Sequence, residues 1–67
     1  MTVQLKVDGM TCQNCVRHVK EALEAVEGVT SAEVDLTGGR AVVDGSGLDT
    51  QQLVAAVEEE GYSAQPI

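Results

Sequence analysis

The chain has no tryptophan and no phenylalanine, and among its 67 residues only one tyrosine, one proline and one histidine. Without large rings the core has to be aliphatic, built mainly from Val, Leu and Ala, and at this length such a core is only just large enough to fold without a staple. Positive charge is equally scarce. Four Lys and Arg stand against eleven Asp and Glu, for a net charge of −7, which argues against binding nucleic acid through its phosphates. No apolar run approaches the length of a membrane span, so membrane insertion is not expected. The N-terminus carries no basic segment followed by an apolar stretch. The expected location is therefore the cytoplasm, where thiols stay reduced.

What the chain does have is a pair of cysteines, its only two, placed three positions apart in Gly9-Met10-Thr11-Cys12-Gln13-Asn14-Cys15. Upstream, Val3, Leu5 and Val7 alternate with Gln4 and Lys6, the pattern of a half-buried strand ending at Asp8-Gly9. Downstream, Val16, Val19, Leu23 and Val26 recur at intervals of three and four, the stripe of an amphipathic helix beginning near Cys12 to Asn14 and closed at Glu27-Gly28. The pair thus sits where a strand hands over to a helix. Unpaired N–H groups and the positive end of the helix dipole favour the thiolate there, most of all for Cys15. Two adjacent thiolates make either a soft bidentate metal site or a reversible disulfide, and a reducing compartment favours the metal.

The remaining elements follow in order. Ala32, Val34 and Leu36 alternate with Glu33 and Asp35 as a second strand; Thr37-Gly38-Gly39-Arg40 has hairpin composition; a third strand runs from Ala41 to Asp44. After Gly45-Ser46-Gly47, Asp49 with Gln52 resembles a capping box opening a second helix, with Leu53, Val54 and Val57 as its buried stripe and Gly61 at its end. Tyr62 to Ile67 forms a short fourth strand, where Pro66 is tolerable on an edge. The order β-α-β-β-α-β, with right-handed crossovers in both halves, gives an α+β fold: one four-stranded antiparallel sheet with both helices on one face.

With that motif in that element order, the chain resembles a heavy-metal-associated domain, the ferredoxin-like module of copper chaperones of the Atx and CopZ type, of mercury carrier proteins, and of the N-terminal repeats of metal-pumping P-type ATPases. Residues 9–15 fit the family's G-M-T-C-x-x-C signature at every fixed position, and Gly28-Val29 and Glu60-Gly61-Tyr62 are lesser marks. The resemblance covers nearly the whole chain, so residues 1–67 read as a single domain of this kind. It implies that Cys12 and Cys15 are the metal ligands, that Met10 turns into the core to brace the loop, and that Tyr62 lies beside the metal, as in many bacterial copper chaperones.

Each of these residues also has a plainer reading. Met10 fills a core gap, or its thioether serves as a third soft ligand. Thr11 is part of an exposed, polar loop around the thiols. His18 lies one turn past Cys15 but about 160° from the face of Val16 and Val19, so it faces solvent; recruited as a ligand, it would complete a site shared with a second molecule. Tyr62 packs its ring while its hydroxyl reaches the site, or is structural alone. Arg17 and Lys20, half of all the basic residues, are a solvated helix face or a docking patch beside the thiols.

Two thiolates with no third or fourth protein ligand suit Cu(I), with Hg(II) the close competitor, while Zn(II) in a structural site wants four ligands. The expectation is a non-enzymatic cytoplasmic carrier of Cu(I) that hands its ion, by thiolate exchange, to the metal-binding domain of a copper-transporting P-type ATPase. It is expected to be monomeric, or a dimer bridged by Cu(I). Met1 and the finish at Ile67 favour a stand-alone protein over an excised ATPase domain. A mercury carrier and a small thiol-disulfide oxidoreductase are the rival readings.

Overall fold

The computed structural model describes residues 1–67. Six elements follow one another: β1 (Thr2–Asp8), α1 (Gln13–Glu24), β2 (Val29–Asp35), β3 (Arg40–Gly45), α2 (Thr50–Glu59) and β4 (Ser63–Pro66). The strands form one antiparallel sheet in the order β2-β3-β1-β4, with Leu5 opposite Ala41 on one side and Pro66 on the other. This is the expected ferredoxin-like βαββαβ sandwich.

Strand alternation decides which face is covered. Leu5, Val7, Ala32, Ala41, Val43 and Ala64 are buried, whereas Gln4, Lys6, Glu33, Asp44 and Gln65 between them are exposed. The helices cover the apolar face, α1 over β2 and α2 over β4, and touch each other. Val19 and Leu23 of α1 and Leu53 and Val57 of α2 are fully buried against the sheet. Alanines at three sheet positions let the helices come close, which is how a core without aromatic rings fills its volume.

Several details differ from the sequence reading: β2 runs Val29–Asp35, leaving Leu36 in the turn, and β3 extends to Arg40 and Gly45. Helix α1 ends at Glu24 instead of Glu27, because the Val26 carbonyl accepts from the Val29 N–H and a tight turn containing Gly28 replaces the last helical turn. Val26 still packs against the core, from that turn. Strand β4 starts at Ser63, since Tyr62 belongs to the cap of α2. Asp49 does cap α2, but its carboxylate accepts from the Gln51 N–H at 2.9 Å, one position earlier than a capping box places it. Pro66 lies on the edge strand, as expected.

Candidate functional site

The loop between β1 and α1 carries the cysteines, and its path is set by Gly9. At φ +101° this residue adopts a conformation that side chains disfavour, and a Cβ there would stand 3.3 Å from Cδ1 of Tyr62. Gly9 therefore turns the chain and also lets the Tyr62 ring lie against the loop. Met10 follows, half-buried and packed on the core. Thr11 and Cys12 are exposed.

Cys12 is the N-cap of α1, in extended geometry, and its carbonyl accepts from Cys15 N–H at 3.0 Å and Val16 N–H at 3.3 Å. Its side chain makes no capping bond, so the thiol is left available. Cys15 lies in the first turn, and the two free thiols are 3.5 Å apart. That is too far for a disulfide at about 2.05 Å. It is close enough for both sulfurs to grip one ion at a metal–thiolate distance of about 2.3 Å.

Cys15 is held down from an ordinary 9.0 to about 6, so it is mainly thiolate at neutral pH. The backbone N–H of Thr11 contributes most, then the Tyr62 hydroxyl, the Cys12 thiol and the Thr11 hydroxyl, with burial opposing weakly. Thr11 Oγ1 and Cys12 Sγ lie within hydrogen-bonding reach of Cys15 Sγ, at 3.8 and 3.5 Å. The thiolate is thus stabilised by specific donors of the loop and by Tyr62. In return Tyr62 is pushed up to about 12, first by its bond to Cys15, with the charge of Glu60 adding to the effect.

His18 is exposed on α1, and no group of three His, Cys, Asp or Glu capable of holding a metal forms anywhere in the chain. Arg17 is exposed and Lys20 half-buried on the same helix. Sequence reasoning missed the Thr11 backbone donor, the Gly9–Tyr62 contact and Glu60. The first needs the loop's path; the second joins residues far apart in the chain, beyond any local pattern; and Glu60 acts through its charge on Tyr62, two positions on. No helix is long and apolar enough to cross a membrane.

Comparison with known proteins agrees with this architecture. The family model for the heavy-metal-associated domain matches residues 4–63. The copper chaperone CopZ of Staphylococcus aureus is 43% identical over 87% of this chain and 88% of its own length. A copper-exporting P-type ATPase of Vibrio cholerae is 45% identical over 96% of this chain, and a mercuric reductase of Shewanella putrefaciens 42% identical over 94% of it. The chain spans only 7% and 12% of the length of those two proteins. Among solved structures, a CopZ metallochaperone superposes with a TM-score of 0.91 at 36% identity, over 97% of this chain and 100% of that one. Oxidised MerP from Ralstonia metallidurans CH34 does so with 0.89 at 38%, over 98% and 94%. In fold, in signature and over nearly all of its length, the chain belongs to the heavy-metal-associated domain family.

Proposed function

We propose that this chain is a non-catalytic Cu(I) carrier that holds its cargo on Cys12 and Cys15 and gives it up by thiolate exchange. The observation that carries the reading is the pair itself: two free thiols 3.5 Å apart at an exposed loop, with Cys15 already mainly thiolate and no third protein ligand grouped with them. Such a set is soft, which selects Cu(I). It is also coordinatively open, so a partner's thiolate can bind the ion before Cys12 or Cys15 leaves it. The ion moves without being released to water, and neither its charge nor its oxidation state changes.

The similarity to CopZ chaperones and to a copper-exporting ATPase supports a metal-binding domain of such an ATPase as the recipient, in the cytoplasm. In this reading Arg17 and Lys20 flank the thiols as a docking surface for that recipient.

The test is an anaerobic Cu(I) titration of reduced protein against a strong chromophoric chelator. One Cu(I) per chain is expected for wild type, and loss of retention in both Cys12→Ala and Cys15→Ala. Wild-type affinity in either variant would remove the ligand assignment. A second reading, Hg(II) carriage, is favoured by the similarity to a mercuric reductase and to MerP. Competition between Hg(II) and Cu(I) in the same titration bears on it.

A further inference from the structure

Two steps of the chain share the sequence Val-Asp-Gly: Val7-Asp8-Gly9 and Val43-Asp44-Gly45. An aspartate before glycine can close on its own backbone, because a glycine without a side chain lets its nitrogen approach the neighbouring carboxyl carbon. The local chemistry of the two steps is matched. Any difference between them comes from the fold.

Asp44-Gly45 is clamped. It ends β3, an inner strand, and Asp44 has Thr2 of β1 on one side and Ser31 of β2 on the other. The Asp44 carboxylate accepts from the Thr2 hydroxyl, and the Gly45 N–H donates to the Met1 carbonyl at 3.0 Å. Gly45 is buried so closely that a Cβ there would collide with the Gly28 carbonyl oxygen. Neither the carboxyl nor the nitrogen is free to move.

Asp8-Gly9 is held from one side only. Asp8 is exposed and closes β1; its pairing with β3 has already stopped at Lys6 and Arg40, and its partner Ser63 is the first residue of β4, a four-residue edge strand. The Gly9 N–H lies outside the strands and makes none of the turn or loop bonds, and the Asp8 carboxylate accepts no hydrogen bond. A terminal pair on an edge opens at far lower cost than the whole fold. Opening this one lets Asp8 leave its extended conformation and turn its carboxyl over the next peptide bond.

We propose that Asp8-Gly9 is a self-modification site, at which the fold directs conversion of Asp8 to isoaspartate. The Gly9 nitrogen bonds to Cγ of the protonated Asp8 carboxyl, whose hydroxyl leaves as water with the Gly9 amide proton. Water then opens the cyclic imide. Attack at the Asp8 backbone carbonyl carbon breaks its bond to the Gly9 nitrogen, so the chain now runs through Cβ and Cγ and the old backbone carbonyl becomes a free carboxylate. Attack at Cγ restores aspartate. The backbone gains a carbon next to the turn where Gly9, at φ +101°, seats the Tyr62 ring, and the cysteine loop is unseated. On the carrier reading, on which this purpose alone rests, the site limits the working life of the loop.

The experiment incubates reduced, metal-free chain in warm, neutral heavy-oxygen water, so that its outcome is independent of Cu(I) binding. Each opening of the imide leaves a heavy oxygen in the product, and peptide mapping with electron-transfer fragmentation assigns it to residue 8 or 44 and separates isoaspartate from aspartate. In the folded chain the label at residue 8 should exceed that at residue 44 severalfold. In concentrated urea the two should converge. Equal labelling of the folded chain would overturn the proposal, and so would a preference for residue 8 undiminished by urea, which would put its cause in the local sequence. Asp8→Glu should lose the label at residue 8 and leave that at residue 44 unchanged. The isoaspartate fraction, isolated by chromatography, should differ from unmodified chain in the emission of Tyr62, the only aromatic residue; identical emission would show the loop still seated and overturn the consequence drawn for it.

Discussion

Cys15 is where residue identity becomes reactivity. Its low position is set by donors on three residues, Thr11, Tyr62 and Cys12, and folding is thereby linked to pH. The folded group titrates at about 6 against 9.0 for an ordinary thiol. Between those values the unfolded chain holds a proton that the folded chain has lost, so stability rises with pH across that window and is lost as pH falls through about 6. Urea midpoints of the reduced, metal-free chain should therefore fall from pH 9.0 toward about 6 more steeply than those of Cys15→Ser; equal slopes would show that Cys15 is not depressed. Thiolate absorbance should place its midpoint at about 6 and move it upward in Tyr62→Phe, which removes the second-largest contribution. The cysteine pair and its place before a helix were legible in the sequence because spacing and local periodicity encode them. Tyr62 entered only through family resemblance, since no local rule links it to Gly9 or Cys15.

The connection that brings Tyr62 there is a helix cap. The Gly61 N–H donates to the Glu58 carbonyl and the Tyr62 N–H to that of Val57, at 3.0 and 3.4 Å, the paired bonds of a Schellman motif with Gly61 at φ +94°. A Cβ at Gly61 meets nothing within 4 Å, so Gly61→Ala costs only backbone strain, about 1–2 kcal/mol. Asp49→Ala at the other end of α2 removes the bond to Gln51 N–H and costs about 1 kcal/mol. Stability alone hardly separates the two. Only Gly61→Ala should also raise the Cys15 midpoint, because only it shifts Tyr62; the same rise in Asp49→Ala would mean that the cap does not position the ring. Glycine marked the end of α2 correctly in the sequence and misled for α1. Near Gly28 the periodic stripe continues through Val26, but that side chain reaches the core from a turn, which periodicity cannot distinguish from one more turn of helix.

At the scale of the molecule, topology was readable because six short elements in that order leave few ways to close one sheet and cover one face. Its margin is small. At roughly 0.05–0.15 kcal/mol per residue, a chain of 67 residues is worth about 3–10 kcal/mol in all. Leu53 is fully buried beneath α2, and Leu53→Ala should cost about 2–5 kcal/mol, enough to bring the metal-free protein close to its unfolding midpoint. The site joins the β1–α1 loop to the α2–β4 connection, one from each half of the chain, so an ion held there favours the state in which both halves are assembled. Free Cu(I) at about 1,000 times its dissociation constant would add about 4 kcal/mol, less whatever the unfolded thiols bind. Circular dichroism of Leu53→Ala under urea should then show the folded state restored by one equivalent of Cu(I), and no restoration in the double variant Cys12→Ala/Leu53→Ala. Equal rescue of both would place the stabilising ion elsewhere than on the cysteine pair.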